Sequence, residues 1–70
     1  MTDAATISGL ILQAQLAMRA SLTEGCALAH ARRLVQLRFQ RGDFAGVVQV
    51  MDAAMVEAMA RALVNEEKAK

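Results

Sequence analysis

The chain of 70 residues contains no proline, tryptophan or tyrosine, and it has a single cysteine and a single histidine. A lone cysteine cannot form an intrachain disulfide, and Cys26 with His30 cannot supply the four ligands of a structural zinc site. No apolar run approaches the roughly 20 residues that a membrane-spanning helix needs. We therefore expect a fold held by apolar packing, with no metal, no cofactor and no membrane partner.

Catalytic patterns are also missing. His30 has no carboxylate or hydroxyl at the spacing of a nucleophile and its base, and no other set of acid, base and nucleophile exists. Cys26 lies one helical turn before His30, but free cysteine usually behaves as a small hydrophobe, so we predict a buried or interface thiol. The sequence therefore predicts a protein that is not an enzyme and has no catalytic residues. A lone thiol and the lack of a secretory signal favour a cytoplasmic location.

What the chain does contain is typical of helices. It is 56% hydrophobic, and alanine, leucine, methionine, glutamine, glutamate and arginine dominate. We predict one all-α domain over residues 1–70. It consists of a helix over about 3–40, a turn at 41–43, a helix over about 44–65 and a charged, frayed tail at 66–70.

The weak point of the first helix is the segment 21–25. Ser21 and Glu24 have the spacing of a capping box, and Gly25 disfavours a helix by about 1 kcal/mol relative to alanine. The prediction favours a helix that is continuous or merely kinked, and it leaves open a second helix that starts near Leu22.

The corner at 41–43 and the helix after it organise the predicted fold. Gly42 can end a helix in the left-handed conformation, and Asp43 can cap the next one. From Phe44 onward, apolar residues recur at steps of four and three, as on one helix face. Together with apolar positions of the first helix, they form the predicted apolar or dimer interface: Leu10, Met18, Leu22, Phe44, Val48, Met51, Met55 and Met59.

The first helix is apolar on more than one side. Besides its main apolar lines, a further line consists of Leu12, Leu16, Ala20, Ala27 and Leu34. A single antiparallel neighbour cannot cover all of these sides. We therefore predict that two helical hairpins pack as an antiparallel bundle, which makes the protein a homodimer.

Positive charge concentrates before the corner, where no acidic residue lies between Gly25 and Gly42. At about 100° per residue, four basic side chains fall within roughly 140° of one helix face, with Arg32 on the other side. The four predicted partner-binding residues are His30, Arg33, Arg38 and Arg41. Two other interpretations remain open, namely complementarity to the acidic last helix and stabilisation of a helix C-terminus by cations. Nucleic acid is not expected, because the net charge is only +1 and no aromatic stacking platform accompanies the arginines.

In chain length and in the corner Gln40-Arg41-Gly42, the sequence broadly resembles the small partner subunits of type III secretion needle chaperones and the short inhibitor proteins of temperate phages. The resemblance implies a bacterial or phage protein that binds another protein. We predict a non-catalytic homodimer that binds and modulates or inhibits a larger protein. One alternative is a chaperone or assembly subunit that covers a partner's apolar helix. Another is a weak nucleic-acid binder that uses the arginines.

Overall fold

The computed structural model describes residues 3–70, and this part of the chain is all-α, with three helices and no strand. Helix α1 spans Ala4–Ala20, α2 spans Glu24–Arg41 and α3 spans Ala53–Ala69. The predicted all-α class is confirmed, and the arrangement fits a helical bundle. The structure has three helices, however, where the sequence favoured two.

The first break separates α1 from α2 within the segment that the sequence marks as weak. The Ser21 hydroxyl donates to the carbonyl oxygen of Ala17 at 2.8 Å, and the Ser21 backbone is extended. Thr23 caps α2, because its hydroxyl oxygen accepts from the backbone N–H of Cys26 at 3.2 Å. The preference for a continuous helix was therefore wrong. Each of the two hydroxyl side chains satisfies one backbone group at its helix end, which lowers the free-energy cost of the break.

Helix α2 ends at the predicted glycine. Gly42 is left-handed, with φ of 93°, and its N–H bonds to the carbonyl oxygen of Phe39 at 3.0 Å. The next N–H, that of Asp43, bonds to the carbonyl oxygen of Arg38 at 3.1 Å. Both bonds satisfy carbonyl groups that the last helical turn leaves free, so the role of Gly42 as a helix end is confirmed.

The third helix starts nine residues later than the sequence indicated. The carboxylate of Asp43 is bound by Arg41 and does not cap a helix, whereas Asp52 accepts from the backbone N–H of Met55 at 2.8 Å and begins α3. Residues 43–52 form an irregular connection that begins with consecutive turns, in which Ala45 N–H bonds to the Gly42 carbonyl oxygen and Val48 N–H to the Phe44 carbonyl oxygen. Gly46 has φ of 82°, a conformation that a right-handed helix cannot contain.

At its other end, α3 continues to Ala69, so most of the predicted frayed tail is helical. Two ion pairs join this end to the corner between α1 and α2. Arg19 Nε lies 3.2 Å from Glu67, and Lys68 Nζ lies 3.2 Å from Glu24. These contacts, together with the helical hydrogen bonds, keep the charged residues in regular structure.

Helix α2 is the centre of the bundle and packs against both α1 and α3. Its Ala31 and Leu34 are completely buried, as is Ala60 of α3. The remaining core side chains come from all three helices. The buried apolar cluster consists of Ile7, Ile11, Ala14, Met18, Ala27, Leu28, Ala31, Leu34, Leu37, Ala60 and Val64. Each single chain therefore has a core of its own.

Candidate protein-binding site

An apolar groove between α2 and α3 brings together residues that the sequence assigned to two different roles. The predicted partner-binding Arg38 lies beside Phe44 and Met59, which were predicted as apolar interface residues. All three side chains are half-buried. The groove has a volume of about 170 Å³, and its lining is Val35, Arg38, Phe44, Met59, Ala62 and Leu63. We call it the Arg38 groove.

The corner at Gly42 positions this groove. After Gly42 reverses the chain, the backbone of Asp43 stays bonded to the carbonyl oxygen of Arg38. Arg41 then holds the Asp43 carboxylate with two hydrogen bonds, Nε to Oδ1 at 2.9 Å and Nη2 to Oδ2 at 2.6 Å. This bidentate geometry is the strongest form of such a pair, and it fixes the start of the connection. Phe44 follows at once and so lies near Arg38.

Most arginines of the described chain are already engaged by carboxylates. Arg32 donates two hydrogen bonds to Glu57, at 2.6 and 3.2 Å, and Arg61 also contacts Glu57, at 3.1 Å. The hydrogen bond from Arg32 lowers the pKa of Glu57, and the charges of Arg32 and Arg61 lower it further. Arg32, which the sequence placed outside the partner-binding set, is thus the arginine of α2 that pairs with a carboxylate of the third helix.

Arg38 lacks such a partner. Within residues 3–70, no carboxylate lies within ion-pair distance of its guanidinium. The pKa of nearby Asp43 is lowered mainly by the hydrogen bond from Arg41, and the charge of Arg38 adds a minor contribution. The Arg38 groove therefore combines an apolar lining with an unpaired positive charge.

The other predicted partner-binding residues lie elsewhere. His30 and Arg33 line a second groove, of about 200 Å³, beside Leu10 of α1. Arg41 donates to Ser8 of α1 at 3.1 Å in addition to its contacts with Asp43. The four basic residues do not share one open surface, because α1 and α3 pack on neighbouring sides of α2 and divide the 140° arc between two grooves. The role of these four basic residues in partner binding stays a prediction.

The predicted interface residues also separate by environment. Met18 belongs to the core of the chain, whereas Leu22 is fully exposed at the corner between α1 and α2. Both line a third cleft, of about 280 Å³, beside the end of α3. The remaining predicted interface residues are half-buried, namely Leu10, Phe44, Val48, Met51, Met55 and Met59. Their part in a dimer stays a prediction.

Several exposed apolar residues were absent from the predicted interface. Leu12 and Leu16 of α1 are 55% and 54% exposed, and Val47 and Val50 of the connection are 85% and 76% exposed. The line through Leu12 and Leu16 was visible in the sequence as the additional apolar line of the first helix. The exposure of Val47 and Val50 was not predictable, because the predicted helix over about 44–65 includes both residues. Cys26 is exposed in the single chain, so the buried alternative of the predicted buried or interface thiol was wrong, and its place at an interface stays a prediction.

The described residues offer neither a metal centre nor a membrane-spanning helix. No group of three or more histidine, cysteine, aspartate or glutamate side chains in residues 3–70 is arranged to hold a metal ion. None of the three helices combines the length and the hydropathy that crossing a membrane would require. Comparison with protein-family models, curated proteins and solved structures finds no match to this chain.

Proposed function

We propose that the chain is a small, non-catalytic protein-binding module that acts as a homodimer and modulates or inhibits a larger protein. The observation that carries this proposal is the Arg38 groove. It is an apolar groove with a half-buried arginine that has no carboxylate partner in residues 3–70. The partner segment that suits it is an amphipathic helix with an acidic residue beside its apolar face.

Arg38 is suited to bind an acidic side chain of a partner. A guanidinium pairs with a carboxylate through two parallel hydrogen bonds, and the pair is stronger where water is partly excluded. Arginine is also among the residues that most often dominate binding energy at protein interfaces. The neighbouring Phe44 and Met59 would exclude water from the pair, and methionine adapts its shape to different side chains. Helices commonly bind in this way, with their apolar face in a groove between two other helices.

The size of the groove supports a protein partner. Its volume of about 170 Å³ is below the roughly 300–1,000 Å³ of typical small-molecule pockets. The connection that supplies Phe44 also exposes Val47 and Val50. These side chains extend the apolar surface beyond the groove, as a longer partner segment would require.

The homodimer is supported by the other side of the molecule. Leu12 and Leu16 of α1 are about half exposed and face away from the core. The dimer interface and the Arg38 groove would then lie on different helices, so a dimer can carry two grooves that remain open to the larger protein.

The test is a selection from a library of random helical peptides, followed by measurement of dissociation constants. We expect the enriched peptides to be amphipathic, with a carboxylate next to the apolar face. Arg38→Glu should weaken their binding by about tenfold or more, which corresponds to about 1.4 kcal/mol. Arg33→Glu is the matched control, because Arg33 lies in the other groove and should leave binding unchanged. Equal losses in both variants, or no enrichment at all, would contradict the proposal.

A further inference from the structure

The outer face of α1 is apolar but uncovered. At about 100° per residue, five residues lie within about 80° of the helix circumference, opposite the buried residues Ile7, Ile11 and Met18. They are Ala5, Gly9, Leu12, Leu16 and Ala20, and all five are exposed. No charged residue lies between Asp3 and Arg19. A surface helix normally presents charged or polar side chains on this side, so the pattern indicates a second packing partner.

Gly9, which lies on this outer face, is consistent with such a partner. A glycine inside a helix is about 1 kcal/mol less favourable than alanine. Packing within residues 3–70 does not account for it, since a Cβ built on Gly9 would meet no atom of these residues within 4 Å and the backbone is ordinary helix. A missing side chain on an outer helix face is explained if another chain approaches the backbone at that point.

We infer that this face of α1 packs antiparallel against the same face of a second copy of the chain. The spacing of the five residues is nearly symmetric about a point between Leu12 and Gln13. An antiparallel pair with its twofold axis at this point sets Ala5 opposite Ala20, and Gly9 opposite Leu16. Each leucine at position 16 would then fill the space that the partner copy's glycine leaves open. The inference rests on the homodimer of the proposed function but not on the Arg38 groove.

The charges at the ends of α1 select this direction. Asp3 caps the N-terminus of the helix, and Arg19 lies in its last turn. An antiparallel pair brings the Arg19 end of one copy to the Asp3 end of the other, and it also opposes the two helix dipoles. A parallel pair would place like charges together at both ends. The opposed helix dipoles favour the antiparallel direction, and the Arg19 charge contributes less because Glu67 of the same chain already pairs with it.

The expected dimer is reversible. Helix α1 has 17 residues and is about 25 Å long, so one helix from each copy makes an interface at the small end of the usual range. Because each chain has its own core, the monomer should stay folded when the dimer dissociates. Sedimentation analysis over a dilution series should therefore show folded monomer and dimer in exchange.

The first test compares two glycine-to-alanine variants. Gly9→Ala and Gly25→Ala both change an exposed helical glycine whose added Cβ meets no atom within 4 Å. Both should raise the thermal stability of the dilute monomer, but only Gly9→Ala should raise the dimer dissociation constant. Gly9→Leu should raise that constant by about tenfold or more, because overpacking a close contact typically loses 1–3 kcal/mol. If Gly9→Leu dimerises as well as the unchanged chain, the inference is wrong.

The second test determines the direction by disulfide formation in a Cys26→Ser background. A chain with Ala5→Cys is mixed with a chain that carries Ala20→Cys. We expect the mixed disulfide to dominate and the two same-position disulfides to be rare. Dominant same-position disulfides would indicate a parallel pair, and a dimer without any disulfide would indicate another interface. Either result would overturn the inferred packing of α1 but would leave the homodimer in place. A monomer at all concentrations would contradict the homodimer as well, without affecting peptide binding at the Arg38 groove.

Discussion

Replacing Gly46 by alanine tests the connection that delivers Phe44 to the Arg38 groove. Gly46 has φ of 82°, and an added Cβ would meet no atom within 4 Å. The substitution therefore introduces backbone strain without a steric clash. A left-handed conformation disfavours a non-glycine residue by roughly 1–2 kcal/mol. The lower entropy of the unfolded alanine chain offsets part of this amount, by roughly 0.4–1 kcal/mol. We expect Gly46→Ala to lower the free energy of unfolding by about 1 kcal/mol.

The opposite result follows if residues 44–52 are helical, as the sequence pattern indicated. Alanine would then be favoured over glycine by about 1 kcal/mol. The two structures thus predict changes of opposite sign, separated by about 2 kcal/mol.

Urea unfolding followed by circular dichroism measures the difference, and the melting temperature should shift by about 4–8 °C per kcal/mol in a domain of this size. Asp52→Ala is a companion variant, since loss of the cap that begins α3 should destabilise the protein by about 1 kcal/mol. If both variants stabilise the protein, the connection is helical, and Phe44 is not placed by the turn that the structure shows.

Two further predictions concern the core and the ion pairs. Leu34→Ala removes a completely buried side chain and should lower the free energy of unfolding by about 2–5 kcal/mol. Leu22→Ala, at a fully exposed position, should change it by less than about 0.5 kcal/mol. Equal effects of the two variants in urea unfolding would contradict the described core. The pKa of Glu57 is lowered, above all by the hydrogen bond from Arg32. The contribution of Glu57 to stability is therefore complete above its unfolded pKa of about 4.3, and it is lost as pH falls through the folded pKa. Glu57→Gln should therefore reduce the loss of stability between pH 6 and pH 3, and an unchanged pH profile would show that this carboxylate is not paired in solution.

The all-α class and the end of α2 could be predicted because both depend on local chemistry. Composition and the absence of proline indicate helices, and a glycine before a change in apolar pattern indicates a helix end. The start of α3 could not be predicted in this way, because Asp43 and Asp52 are both reasonable caps. Arg41 binds the first of them, and Gly46 adopts a positive φ. A periodicity pattern shows neither the Arg41–Asp43 ion pair nor the backbone conformation of Gly46.

The Arg38 groove was predictable in its parts but not as a whole. Arg38 stood out as a cation in a segment without acids, and Phe44 and Met59 stood out by helical spacing. Their meeting depends on which side of α2 each neighbouring helix covers. Helix periodicity places residues around one axis, but it does not say where the next helix packs. The same limit explains why Arg32, and not Arg38, pairs with Glu57.

The most direct test of the central claim is a charge-swap cycle at Arg38. A selected peptide with its acidic residue, and the same peptide with that residue changed to lysine, are each titrated against the unchanged protein and against Arg38→Glu. We expect each single change to weaken binding by about tenfold or more, and the two changes together to restore most of the affinity. Additive losses, with no recovery in the doubly changed pair, would contradict a carboxylate at Arg38 and with it the proposed mode of protein binding.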